Sequence, residues 1–290
     1  MSASEEEAHV LGLCFDHSAL YFALRPVEQK AFLRYLGKVD FSFSLYEAFA
    51  RADVDLCSYM QTIISRLVDT YPVESLRLVS FPQFECWTTL PKLAYDDPAE
   101  REAHLGMLSF GVKRSQIETT WYEMSNRDFR LLAIRDRRRI EMLNICTSKA
   151  RQVDYCPDFE IGQSWISHTG ATGSFMSIGC YTHAICISSF MLGKLRGSTC
   201  LRYEHLADLP FAWKQSEQHL HWLSGYHENI MIYGTNAEQV LRYTRPLLDN
   251  GSEILRMQEL ADIGVEARET TYSFPLEKAF PAIMMALDQS

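Results

Sequence analysis

The sequence predicts an α/β protein built of two halves, and three observations carry that prediction. The chain has 290 residues, about two units at roughly 150 residues per domain. Short apolar runs of strand length alternate with stretches of helical periodicity along the whole chain. The order of these elements then repeats. The first half reads hairpin, strand, helix, strand; the second reads hairpin, strand, helix, strand, helix, without any repeat of the residues themselves. The division falls at 1–165 and 166–290. Hydrophobic residues at 47% and charged residues at 22% belong to a folded chain, which excludes disorder and fibres.

His9 to Phe15 is an apolar run, broken by Asp16-His17-Ser18 and resumed from Ala19 to Leu24, the pattern of a β-hairpin. Lys30 to Leu36 reads as a third strand closed by Gly37. Leu56, Met60, Ile63, Ile64, Leu67 and Val68 recur at helical spacing until Pro72. Leu76 to Phe81 and Phe84 to Thr89 read as strands parted by Pro82, and Asp96-Asp97-Pro98 opens a helix to about His104. Strands follow at Ile117 to Tyr122, Arg130 to Ile134 and Ile140 to Cys146. The basic cluster Arg135, Arg137, Arg138 and Arg139 falls at the tip between the last two. Trp165 to Ser174 reads as a loop; it lacks the GxxxxGK[ST] pattern of a phosphate cradle.

In the second half, Phe175 to Phe190 is a strand pair, with a turn at Met191-Leu192-Gly193-Lys194 and another strand from Leu195 to Tyr203. Glu204 to Leu223 reads as one long helix ending near Gly225. Asn229 to Tyr233 is a short buried strand stopped by Gly234, and Ala237 to Leu248 an amphipathic helix. Leu276 to Leu287 closes the chain as a helix, kinked or broken at Pro281.

With 28 basic and 37 acidic residues the net charge is -9, so neither nucleic acid nor anionic lipid is an expected partner. The start of the chain, Met1-Ser2-Ala3-Ser4-Glu5-Glu6-Glu7, is acidic, unlike a signal peptide. No apolar run reaches the roughly 18 to 20 residues of a membrane span. These readings place the protein in the cytoplasm, without a membrane span. Cys14, Cys57, Cys86, Cys146, Cys156, Cys180, Cys186 and Cys200 lie mostly within apolar runs, where a reduced thiol acts as a small hydrophobe.

Three segments carry a resemblance. Leu11-Gly12-Leu13-Cys14-Phe15-Asp16-His17-Ser18 resembles the first phosphate loop of the actin-like ATPase superfamily, which includes sugar kinases, Hsp70 chaperones and actin. Met176-Ser177-Ile178-Gly179-Cys180-Tyr181-Thr182-His183 resembles the second phosphate loop. Ile230-Met231-Ile232-Tyr233-Gly234-Thr235-Asn236 resembles the turn that contacts adenosine. The resemblance implies two lobes of ribonuclease-H-like topology, with mixed sheets and flanking helices. It also makes Asp16, Ser18, Ser177, Gly179 and Gly234 the candidate lining of a degenerate nucleotide cleft. The departures are chemical. Where the superfamily has metal-organising aspartates this chain has Cys14 and Ser177, and Asp16 replaces the glycine of the first loop. Phosphoryl transfer needs a metal clamp and backbone donors around the phosphates, so no catalytic residue, metal or cofactor is expected. Within the superfamily the chain resembles domain-of-unknown-function family 3822, a bacterial family without an assigned activity. It does so through Thr88-Thr89-Leu90-Pro91, the Gly193-Lys194-Leu195 turn, the Leu201 to Asp208 passage and the strand ending at Gly234.

Other chemistry fits less well. His219 and His221 are two apart on the expected helix and diverge, so with His205 and His227 they make a polar face rather than a zinc site. Asp16-His17-Ser18 are neighbours in a turn and do not converge as a triad does. Trp87, Trp121, Trp165, Trp213 and Trp222 lie within apolar patterns and read as packing residues. The expected function is therefore non-catalytic: a degenerate actin-like protein binding an unidentified protein or a second copy of itself. The alternatives are a nucleotide-binding ATPase with substitute cleft residues and a small-molecule enzyme using the histidines and cysteines.

Overall fold

The computed structural model describes residues 7–79, 81–109, 112–124, 128–268 and 272–288. Strands β1 (His9–Phe15) and β2 (Ala19–Pro26) form the expected antiparallel hairpin, with Cys14 opposite Tyr21. The third expected strand is two: β3 (Phe32–Leu33) and β4 (Tyr35–Asp40), of which β4 pairs with β2. Helix α1 (Leu45–Arg51) is capped by Ser44, whose Oγ accepts the Glu47 N–H at 3.1 Å. Helix α2 (Val54–Thr70) is capped by Asp53, whose Oδ1 accepts the Leu56 N–H at 3.0 Å. β5 (Val73–Val79) lies parallel to β1.

A small unit is inserted next. It comprises β6 (Glu85–Pro91), α3 (Lys92–Asp96), α4 (Pro98–Leu108), β7 (Ile117–Glu123) and β8 (Phe129–Asp136), and its three strands form their own sheet in the order β6-β8-β7. Asp97 caps α4 as its Asp-Pro signature predicts, accepting the Ala99 N–H at 2.8 Å.

The arginine cluster is not a hairpin tip, and Ile140 to Cys146 is not a strand. Asp136 accepts the Arg138 N–H at 2.8 Å and starts helix α5 (Arg137–Thr147). Ile140, Leu143 and Cys146 are buried on this helix, and Cys146 donates its thiol to the Cys57 carbonyl of α2 at 3.6 Å. Packing against α2 decides the local structure there, over the β-propensity of isoleucine. β9 (Val153–Cys156) completes a five-stranded sheet in the order β4-β2-β1-β5-β9.

Helix α6 (Phe159–Thr169) leads into the second half and runs across residues 165 and 166. Of the loop expected from Trp165 to Ser174, the part up to Thr169 is the last turn of α6, capped by Gly170 at φ 72°, and Gly170 to Ser174 form the loop into the next strand. β10 (Phe175–Tyr181) and β11 (Ala184–Met191) form the expected strand pair, and β12 (Lys194–Arg202) follows after the turn at Leu192-Gly193. The single long helix expected from Glu204 is broken into a 3-10 turn (Leu206–Asp208), helix α7 (Leu209–Glu217) and a second 3-10 turn (His221–Ser224). Trp213 is fully enclosed on α7. Trp222, on the second turn, lies against Gly197, where a Cβ would be 2.5 Å from the indole nitrogen. β13 (Asn229–Gly234), α8 (Ala237–Thr244) and β14 (Glu253–Arg256) follow. The second sheet has the order β12-β11-β10-β13-β14.

The two five-stranded sheets are the same construction. In each, a hairpin and a third antiparallel strand are extended on the other side by two parallel strands. The rest of the chain returns to the first lobe. Helix α9 (Leu260–Ile263) precedes β15 (Glu266–Ala267), which pairs in parallel with β3. Helix α10 (Leu276–Leu287) then packs on β1, β2, β5 and β13. It runs through Pro281 without ending, and every residue from Ala279 to Leu287 is buried, as expected of a helix that is apolar all round.

Candidate functional site at the lobe interface

Along β10, alternate residues serve two cores. Met176, Ile178 and Cys180 pack with Ile230, Ile232 and Trp213 on the outer side of the second sheet. Phe175 and Tyr181 face inward, into a core shared with Cys14, Tyr21 and Val79 of the first lobe and with α10. Asp158, between β9 and α6, enters this shared core and is 1% exposed. Its Oδ2 accepts the Tyr181 hydroxyl at 2.5 Å and the Tyr233 hydroxyl at 2.9 Å. Its Oδ1 has no partner among the described residues.

Burial pushes the Asp158 carboxyl up to about 7, against the two hydroxyl bonds that favour the charged form. Burial and the charge of Asp158 push both tyrosines well above their ordinary range, so they remain donors. The Cys14 thiol is pushed up by burial and then by Asp16 and Asp158, so it stays neutral. Chemically this is a tie between the β9–α6 connection and strands β10 and β13 of the second sheet. A second tie lies nearby: Gln83 donates its Nε2 to the Thr182 carbonyl, and Arg202 Nη2 donates to the Gln83 carbonyl at 2.6 Å.

The five candidate cleft residues fall into two groups. Asp16 and Ser18 belong to the β1–β2 turn. Asp16 Oδ1 accepts the His17 N–H at 2.7 Å, and the Ser18 carbonyl accepts the Phe41 N–H at 2.9 Å. Ser177, Gly179 and Gly234 belong to the second lobe. Ser177 is 0% exposed, and its Oγ lacks a partner among the described residues. A Cβ on Gly179 would overlap Asp158 Oδ2 and lie 3.0 Å from the Tyr181 ring. Gly234 has φ 94°, and a Cβ there would overlap the Cys180 carbonyl, with which it is in register. Gly179 thus meets Asp158, and Gly234 meets the backbone beside it.

An open cavity of about 690 Å3 also lies between the lobes, with Tyr46, Gln83 and Phe84 from the first and His183, Arg202, Tyr203, Glu204, Asp208, Phe211 and Ala212 from the second. The five candidates are not among its lining residues. Sequence reasoning missed Asp158, Tyr181 and Tyr233 as a group. They are 23 and 75 positions apart, and Pro157-Asp158-Phe159 carries no spacing signal. His227, grouped with the other histidines by sequence, is a buried core residue, its Nε2 2.8 Å from Ser189 Oγ. Burial lowers its pKa. No group of three or more His, Cys, Asp or Glu side chains among the described residues could hold a metal ion.

No family model and no curated protein matches the chain. Solved structures do. A Bacteroides thetaiotaomicron protein with actin-like ATPase fold and unknown function is 14% identical and superposes with a TM-score of 0.52 over 89% of this chain and 93% of that one. A chain of the PilM-PilN type IV pilus biogenesis complex is 8% identical and superposes with a TM-score of 0.67 over 96% of this chain and 97% of that one. The protein has the actin-like ATPase fold, with two sheet-containing lobes and flanking helices. No described helix is long and apolar enough to cross a membrane.

Proposed function

We propose that this protein is a degenerate actin-like protein that has lost phosphoryl transfer and works in the cytoplasm by binding another protein or a second copy of itself. The observation that carries the reading is the occupied lobe interface. The space above Gly179, which a phosphate loop leaves open, holds the Asp158 carboxylate and the Tyr181 and Tyr233 rings. The Asp158 carboxyl and the tyrosine rings occupy that space, and where metal-organising aspartates would hold a polyphosphate the chain has Cys14 and Ser177. Asp16, Ser18, Ser177, Gly179 and Gly234 are on this reading the vestige of a nucleotide cleft, divided between units at 1–165 and 166–290. The partner half of the proposal draws support from the neighbour whose name is a two-protein assembly. Membership of domain-of-unknown-function family 3822 is part of the same proposal. Titration with Mg-ATP tests it: neither saturable binding nor phosphate release is expected.

A further inference from the structure

We propose that Cys186 and Cys200 form a reversible disulfide, a modification site through which a hydroperoxide locks strand β11 to strand β12. The proposal is independent of whether the fold still takes nucleotide.

The register of the sheet brings the two thiols together. Cys186 and Cys200 are direct partners in the antiparallel pairing of β11 with β12. Just beyond the end of that pairing, the Tyr203 N–H donates to the His183 carbonyl at 3.0 Å. Hydrogen-bonded and non-hydrogen-bonded pairs alternate along an antiparallel ladder. Ile185 and Leu201 are therefore a hydrogen-bonded pair, and Cys186 and Cys200 a non-hydrogen-bonded one. Partners of that second kind have Cα atoms ~4.5 Å apart and side chains close together, inside the range that a disulfide spans. The next such pair shows the closeness directly, since Ser188 and Ser198 hold their Oγ atoms 2.9 Å apart. The Cys186 thiol is itself hydrogen-bonded to Cys200.

The surroundings set the order of reaction. Cys200 is half-buried, and Cys186 is fully enclosed. Burial and the bond to Cys200 keep Cys186 neutral, so Cys200 meets the oxidant first. Its sulfur attacks one oxygen of hydrogen peroxide, the O–O bond breaks, and a sulfenic acid and one water result. The Cys186 sulfur then attacks the Cys200 sulfur and expels hydroxide, which takes the Cys186 proton and leaves as a second water. Two electrons pass from the thiols to the peroxide. Cys57 and Cys146 also meet, between α2 and α5, but both are fully buried and give an oxidant no entry. Cys86, exposed on β6 and near enough to Cys200 to feel its charge, is the rival partner. It belongs to a separate sheet, whose register does not hold it opposite Cys200.

The test is treatment of the full chain with hydrogen peroxide under native conditions, followed by alkylation of the remaining thiols and peptide mapping. Two of the eight thiols are expected to be lost as a Cys186–Cys200 link and restored by dithiothreitol. Cys86→Ser is expected to leave the link unchanged, and Cys200→Ser to abolish it. In urea the link should form roughly ten-fold more slowly or worse, because the register that aligns the thiols is gone. Absence of the link in the native wild type overturns the proposal, as does a Cys86–Cys200 link in its place, or an equal rate in urea. Mapping of the wild-type chain decides the matter even where a variant fails to fold.

Discussion

Asp158 holds its proton to about pH 7 in the folded protein and to about 3.8 when unfolded, because burial outweighs the Tyr181 and Tyr233 hydroxyl bonds and the nearby charge of Glu85 adds to it. Between these values the folded state binds the extra proton, so stability from this group falls as pH rises. Below the unfolded value there is no penalty, and above about pH 7 it is complete. Glu160 is also pushed up to about 7 by burial, so the wild type must be compared with Asp158→Asn. Urea unfolding should show the wild type losing roughly 1–2 kcal/mol relative to that variant between about pH 6 and about pH 8. A constant difference would mean that the carboxyl is already charged at the lower pH. At this scale the sequence was partly readable. Gly179 and Gly234 were picked out through the resemblance to a phosphate loop and an adenosine turn, and both are glycine because a Cβ has no room. Asp158 could not be found that way, since its role exists only once α6 brings it against β10 and β13.

Among the elements, α10 sits so close to β1 that a Cβ on Gly12 would overlap the Ala282 carbonyl and lie 2.6 Å from the Ala286 nitrogen. Backbone cannot step aside as a side-chain tip can. Gly12→Ala should therefore cost about 3 kcal/mol or more in chemical denaturation. Gly106→Ala, in α4 with open space around it, should stabilise by roughly 0.5–1 kcal/mol. Similar effects of the two substitutions would contradict the close packing of α10. Arg25 holds the far end of this helix, donating Nε to the Ala286 carbonyl at 2.5 Å. Helix α10 was legible because its apolar run is unbroken, and α4 because Asp-Pro is a local start signal. Helices α5 and α6 were not. Their apolar positions match a strand or loop when read alone, and they are helical because of what they pack against. The break in the expected long helix after Glu204 was hidden for the same reason. Leu209 and Trp213 are buried on α7, and Leu223 on the separate 3-10 turn that follows.

At the scale of the molecule, the repeat of element order was readable and became two sheets of matching topology. The joining of the lobes was not, since it depends on contacts between distant residues. One core runs from Cys14, Tyr21 and Val79 through α10 to Tyr181, Phe190 and Tyr233. Lobes that share a core should not melt separately. Scanning calorimetry should give one transition, with calorimetric and van't Hoff enthalpies in agreement. Two transitions would mean that the Asp158 and Gln83 ties are too weak to couple the halves.

The occupied space at Gly179 underlies the claim that this actin-like fold no longer handles nucleotide. Calorimetric titration of Mg-ATP into the full chain, with phosphate release followed on the same sample, tests that claim most directly. No saturable heat and no phosphate release above buffer are expected. Saturable binding accompanied by phosphate release would contradict it, and would mean that Asp158, Tyr181 and Tyr233 move aside to admit the nucleotide.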